Sequence, residues 1–253
     1  MPIPDSIQSF VDDLADRAPA SYDDLRAVIF NGSLKRSPEP SHTDGLIAVA
    51  TRVLERVGVN VDVIRTADHD IPPGVWPDMR EHGYDVDAFP TIYRELVEPA
   101  DILLLAGPIW LGDQSSLTRK IIERLYAYSG EVNERGQWSY YGKVGGALTT
   151  GNEDGGKHVS AQILYALQHI GLAIPPQADA YWVGEAGPGP SYLDADGGGV
   201  RNAWTTRNTV FMTWNVLHFA RMLKDAGGVP AYGNSTHDWD LSRPAHPNPE
   251  YRH

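Results

Sequence analysis

The chain has 253 residues, with 21 Lys and Arg against 33 Asp and Glu, a formal net charge of −12, 42% hydrophobic residues and no cysteine. Thiol catalysis, disulfides, Cys-ligated zinc and Cys-held iron–sulfur clusters are therefore excluded, and the acidic balance argues against a nucleic-acid partner. No apolar run approaches the ~20 residues of a membrane span, and the acidic start MPIPDSIQSFVDDLADR does not resemble a signal peptide, so the expectation is a cytoplasmic globular protein.

Residues 1–25 carry six acids and one base. Ile7, Phe10, Val11 and Leu14 recur there at helical spacing behind Ser6, a candidate N-cap. They predict an acidic helical extension packed on the outside and ending near Pro19. Strand-like runs follow at 26–31, 59–65, 101–106, 143–150 and 178–183. In the clearest of them the apolar residues are continuous, as when both faces of a sheet are covered. Helical patterns lie between them at 43–57, 89–97, 114–127 and 156–170, and a long one at 200–225 is closed by Gly227 and Gly228. This alternation predicts an α/β domain over 26–228, one parallel sheet with helices on both faces. Five strands is the flavodoxin-like count, with expected order 2-1-3-4-5. Residues 229–253, rich in Pro, Asn and Ser, read as an extended tail, with Tyr232 and Trp239 as candidates for docking on the domain or a neighbouring subunit.

Ligands of an open parallel sheet bind beyond the carboxyl ends of its strands, and three loops there have unusual composition. NGSLKRSPEPSHT (31–43) combines a tight glycine turn, the hydroxyls of Ser33, Ser41 and Thr43, the cations Lys35 and Arg36, and a following helix N-terminus. That set describes a cradle for a phosphate monoester, or an ordinary capped loop. GPIWLGDQSS (107–116) makes an apolar wall with an accessible backbone, suited to a flat heteroaromatic ring, unless Trp110 only plugs the core. TTGNEDGGKH (149–158) has Gly151, Gly156 and Lys157 where a nucleotide-binding P-loop has them. His158 replaces the magnesium-binding hydroxyl, and Glu153 and Asp154 repel a triphosphate, so nucleotide hydrolysis is not expected.

Together, GSLKRSPEPSHT, PIWLGDQSS and TTGNEDGGKH resemble, in order and spacing, the three FMN-contacting loops of the flavodoxin-like NAD(P)H-dependent oxidoreductases. That group includes the NADPH-dependent FMN reductases and the tryptophan-repressor-binding-protein type quinone oxidoreductases, and the resemblance spans residues 26–225. It implies that Ser33, Ser41 and Thr43 bind the FMN phosphate, with main-chain help from Leu34, Lys35, Arg36 and His42. Pro108, Ile109, Trp110, Leu111, Gly112 and Asp113 would lie along the isoalloxazine ring. Thr150, Gly151, Asn152 and Gly155 would line its other edge and the ribityl chain. The first loop departs from the family form by an apparent insertion of Pro38, Glu39 and Pro40. Segment 66–88, with Pro72, Pro73, Trp76, Pro77 and Tyr84, takes no role from the resemblance.

The activity so implied is hydride transfer from NAD(P)H through FMN to a quinone or similar small acceptor, in a homodimer or homotetramer. His158 is either a proton donor there or a solvent-facing residue in a first helical turn. A flavodoxin-type electron carrier and a non-redox binding module on the same fold are the alternatives. No metal is expected: the densest His/acid cluster, His237 to Asp240, lacks a second histidine. No G-x-S-x-G elbow is present. Loop 184–196 edges the substrate pocket or covers an adjacent subunit.

Overall fold

The computed structural model describes residues 3–152, 154–187 and 189–238. Five parallel strands form the sheet: β1 (Arg26–Asn31), β2 (Asn60–Arg65), β3 (Ile102–Trp110), β5 (Val144–Gly151) and β6 (Asp179–Val183), in the order β2-β1-β3-β5-β6. Counting these alone, the order is 2-1-3-4-5. A sixth element, β4 (Asp113–Gln114), pairs antiparallel with the end of β3. The sequence reading missed it. β3 runs on to Trp110 and turns back through Leu111 and Gly112, both at positive φ (54° and 76°). Two such residues make a two-residue hairpin turn, but leucine in the first turn position gives no turn signal.

The sheet lies between two hydrophobic cores, because successive side chains of a strand point to opposite faces. Ala27 and Ile29 of β1 join one core with α1 (Asp5–Ala15), α2 (Thr43–Arg56) and α6 (Ala203–Asp225). Val28 and Phe30 join the other with α3 (Phe89–Ile92), its π-helical continuation to Val97, α4 (Ser116–Tyr126) and α5 (Gly156–His169). Both faces being covered explains the continuous apolar runs.

α1 begins at Asp5 behind Pro4 with no side-chain cap, so Ser6 lies inside the first turn and is not the N-cap. The extension is tied down at both ends. Asp12 accepts from Arg52 at 2.6 Å and Asp16 from Arg56 at 2.6 Å, while the buried Tyr22 hydroxyl meets His218 Nδ1 at 2.9 Å. In the tail, Thr236 N–H donates to Gly136 O at 2.7 Å, but Tyr232 is 91% exposed and is not packed on the domain among the described residues. Trp239 and Asp240 lie outside the described residues.

Segment 66–88 packs against the α3–α4 side through one buried cation. Arg124 of α4 is fully buried; it donates to Trp76 O (2.6 Å), Pro77 O (2.9 Å) and Asp87 Oδ2 (2.6 Å). Asp87 also accepts from the Met79 and Phe89 amides at 2.9 Å each. Burial pushes the guanidinium pKa down despite the neighbouring carboxylate. The first half of the sheet's carboxyl edge is thus framed by loop 32–42 and the second by the β3–β4 hairpin.

Candidate functional site

A cleft of about 540 Å³ opens at the carboxyl edge, where the loops after β1, β3 and β5 meet. Ser33, Leu34, Lys35, Ser41, His42, Thr43, Pro108, Ile109, Trp110, Leu111, Thr150, Gly151 and Asn152 all line it. Arg36, Gly112, Asp113 and Gly155 do not. His158 is exposed in the first turn of α5 and is likewise outside the cleft.

The polar end is built by the β1–α2 loop. Asn31, buried at the tip of β1, accepts from Ser33 N–H at 2.9 Å and donates to Asp44 Oδ1 at 2.6 Å. Asp44 Oδ2 in turn accepts from Ser41 N–H at 2.9 Å and pairs with Arg65. This frame fixes both ends of the loop. Ser33, Ser41 and Thr43 are all buried, yet their hydroxyls are lightly engaged. Ser33 Oγ accepts from Lys35 N–H and Ser41 Oγ from Thr43 N–H, each at a long 3.3 Å. Both hydroxyl protons therefore remain to donate. Thr43 Oγ1 meets Thr150 Oγ1 at 3.1 Å, which joins the first loop to the third. The amides of Leu34, Arg36 and His42 have no acceptor among the described residues. Free amides, free hydroxyl protons and the positive end of α2 together suit a phosphate monoester. Lys35 adds a cation at the rim, where it pairs with Glu39 at 3.1 Å; both are exposed, so the pair contributes little.

The apolar end is walled by Ile109, Trp110 and Leu111 of the hairpin. Trp110 is 54% exposed and Leu111 98% exposed, so Trp110 is not a core plug. Gly155 brings the third loop against the hairpin: a Cβ on it would lie 2.8 Å from Gly112 O. The floor was not foreseen from the sequence. Trp182 of β6 and Tyr192 stand edge to face, ring centroids 5.6 Å apart, and both are buried lining residues. Burial pushes the Tyr192 phenol up to about 12, so it stays protonated at neutral pH. Trp182 pairs in register with Thr150 and so sits at the same sheet end as the third loop, a placement that its local sequence pattern does not signal.

Gly187, Gly189 and Ser191, from the loop at 184–196, line the edge of the cleft. Asn152 donates to Gly189 O at 2.6 Å and accepts from Ser191 Oγ at 3.0 Å; His42 Nδ1 accepts from Leu193 N–H at 3.2 Å. Of the two roles considered for this loop, it takes the one at the pocket edge. The side chains of His42 and Asn152 are engaged by it. Burial pushes the His42 pKa down, Asp194 opposing and Lys35 adding to the effect, so its imidazole is neutral and able to accept. Glu153 lies outside the described residues.

The chain matches the family model for NADPH-dependent FMN reductase over residues 25–186. It is 39% identical over 206 residues to 8-demethyl-8-aminoriboflavin-5'-phosphate synthase of Streptomyces davaonensis, covering 79% of each chain. A crystal structure of RosB with a bound intermediate, 8-demethyl-8-formylriboflavin-5'-phosphate, superposes with a TM-score of 0.75 at 37% identity, covering 82% of this chain and 83% of that one. The chain is also 58% identical over 207 residues to a divalent metal cation transporter MntH of Mycobacterium bovis. That match covers 82% of this chain but only 30% of the transporter, so the chain spans under a third of that relative's length. Among the described residues no helix is long and apolar enough to cross a membrane, and no group of three or more His, Asp or Glu side chains is placed to hold a metal ion.

Proposed function

Because the chain belongs to the NADPH-dependent FMN reductase family, we propose that it is an FMN-dependent oxidoreductase that takes reducing equivalents from NAD(P)H and delivers them to a quinone or similar small acceptor. The observation that carries this is the polar end of the cleft, where the buried hydroxyls of Ser33, Ser41 and Thr43 and the Leu34 and His42 amides line the same cleft as the apolar wall of Ile109, Trp110 and Leu111. The cleft volume lies within the range of ordinary cofactor sites.

In this reading Ser33, Ser41 and Thr43 donate to the phosphate, with the Leu34 and His42 amides. Pro108 to Leu111 cover one side of the ring system, and Thr150 with Gly151 meets its other edge. FMN, when bound, supplies two-electron redox chemistry; the protein supplies position and electrostatics. Trp182 and Tyr192 keep water from the floor. Neither has a group that gains or loses a proton near neutrality, the His42 imidazole is neutral and accepts from Leu193 N–H, and His158 lies outside the cleft. The chain therefore positions reactants and leaves proton exchange to solvent at the mouth.

The test is direct. Purified protein is expected to be yellow, with a two-banded flavin absorption, and to oxidise NAD(P)H when a quinone is added. A colourless protein that takes up no added FMN overturns the reading. A second reading treats the flavin phosphate as substrate, and the identity to the aminoriboflavin-phosphate synthase over most of both chains favours weighing it. Mass spectrometry of the flavin recovered after incubation separates the two: an unchanged mass supports the cofactor role, a changed mass the substrate role.

A further inference from the structure

A second concavity, of about 320 Å³, adjoins the cleft and shares Leu34 with it. Its lining has two characters. Ala67, Ile71 and Leu117 are apolar and at least half-buried, and form the floor. Arg36, His69 and Lys120 are basic and arrive from three separate elements, the loop after β1, the connection after β2 and α4. Arg36 and His69 are exposed, which puts them at the rim. The nearby bases Lys35, Arg65 and Arg119 are paired, with Glu39, Asp44 and Glu123 respectively. Arg36, His69 and Lys120 have no ion-pair partner among the described residues. Burial pushes the Lys120 pKa down, with no acid offsetting it. Thr66, also part of the lining, is buried, and its hydroxyl has no partner among the described residues.

The charge and the floor together define what completes such a concavity. Asp70 lines it as well. Arg36 and Lys120 against Asp70 leave one net positive charge, with histidine counted neutral. That balance suits a carboxylate, which carries one negative charge near neutrality, better than a phosphate monoester, which carries close to two. Arginine meets a carboxylate with a planar fork of donors, and lysine adds a compact charge. An apolar floor under a basic rim calls for an apolar stem behind the carboxylate, because burying a sugar or other polar stem there would leave its hydroxyls without partners. Leu34, half-exposed, is the ridge between the concavity and the cleft. A molecule that uses both spaces has a flat ring in the cleft, a short hydrocarbon chain over Leu34 and a carboxylate beyond it.

We propose that this concavity is a specificity subsite for the electron acceptor, and that the acceptor is a quinone bearing a carboxylate on an apolar side chain, held by Arg36 and Lys120. The inference rests on the oxidoreductase reading above and deepens it by naming the acceptor class.

A naphthoquinone carrying a carboxypropyl side chain and its methyl ester test it, since the two differ only in the charge. Each is titrated calorimetrically into the FMN-loaded protein without reductant, and kcat/KM is then measured with NAD(P)H. The parent is expected to bind the acid at least tenfold more tightly than the ester. Lys120→Met and Arg36→Met each bring that ratio below threefold, Lys120→Glu reverses it, and Lys120→Arg restores most of it. Ester affinity in Lys120→Met stays within twofold of the parent. Equal affinities for acid and ester in the parent, or binding of neither, overturn the subsite. So does an acid-to-ester ratio that survives in both Met variants, including the case in which NADP⁺ affinity alone falls. The two readings fail separately. A parent that prefers the acid in binding but oxidises no NAD(P)H with it keeps the subsite and loses the oxidoreductase. A parent that reduces acid and ester with equal kcat/KM and equal affinity does the reverse.

Discussion

Two long connections leave adjacent strands at the same end of the sheet, and they use their polar groups in opposite ways. The loop after β1 holds its own shape with a few internal bonds around Asn31 and Asp44, and leaves hydroxyl protons and amides facing the cleft. The segment after β2 turns its polar groups inward: two of its carbonyls and the Asp87 carboxylate close on Arg124, and Asp87 also takes two amides. On the proposed function, the first is open to a ligand. The second is built to stay put, which explains why a segment without regular structure holds its place beside a functional site.

The contrast makes predictions of different size. Arg124→Met leaves Asp87 as an uncompensated buried charge and is expected to cost about 3–5 kcal/mol of stability, read by urea unfolding. Loss of less than about 1 kcal/mol removes the clamp from this account. Ser33→Ala and Thr43→Ala belong to the other region. Each removes a hydrogen bond to a charged group, about 1.5–3 kcal/mol, so FMN affinity falls roughly ten- to a hundredfold while the apoprotein melts within a few degrees of the parent. Flavin fluorescence titration reads the affinity; unchanged affinity in both variants takes the phosphate away from this loop. Leu111→Asn creates an Asn-Gly turn where both residues already have positive φ. With the side chain almost fully exposed no packing is lost, and a gain of about 1 kcal/mol in thermal stability is expected.

The smallest effect is on pH. His42 titrates below its ordinary value when folded, so its contribution to holding loop 184–196 is complete above about pH 6.5 and is lost as pH falls through the depressed value. Acidification is expected to weaken the parent slightly more than His42→Asn, by a few tenths of a kcal/mol, the group being partly screened. Protease cleavage within 184–196, compared between the two proteins at about pH 8 and about pH 5, reads the difference; equal pH dependence in both excludes the imidazole.

The five strands were legible because covered strands carry unbroken apolar runs, and the three loops because Gly, Ser and Thr clusters at strand ends have few other uses. Three features were hidden for physical reasons. The hairpin turn is made by a leucine held at a backbone angle that its side chain disfavours. Arg124 falls on the apolar stripe with Ile121 and Leu125, but a charge there reads as a surface residue until its carbonyl partners, more than 40 positions away, are in view. Trp182 and Tyr192 come from regions whose local pattern says only strand and loop; what makes them a floor is the sheet register.

One contact also constrains the order in which this fold can change. Gly32 and Gly107 stand at the exits of neighbouring strands, and a Cβ at either would fall on the same atom, Thr118 Oγ1, at 2.1 and 2.2 Å. Trimming Thr118 to alanine frees position 107, whose remaining neighbours lie at 3.5 Å or more. It does not free position 32, which still meets the Thr118 backbone nitrogen at 3.0 Å. A lineage that replaces Thr118 first can then vary the strand that carries the aromatic wall while the strand that carries the hydroxyl loop keeps its glycine. On the proposed reading of the cleft, position 107 beside the ring-facing loop is then open to change, while position 32 beside the phosphate-facing loop is held.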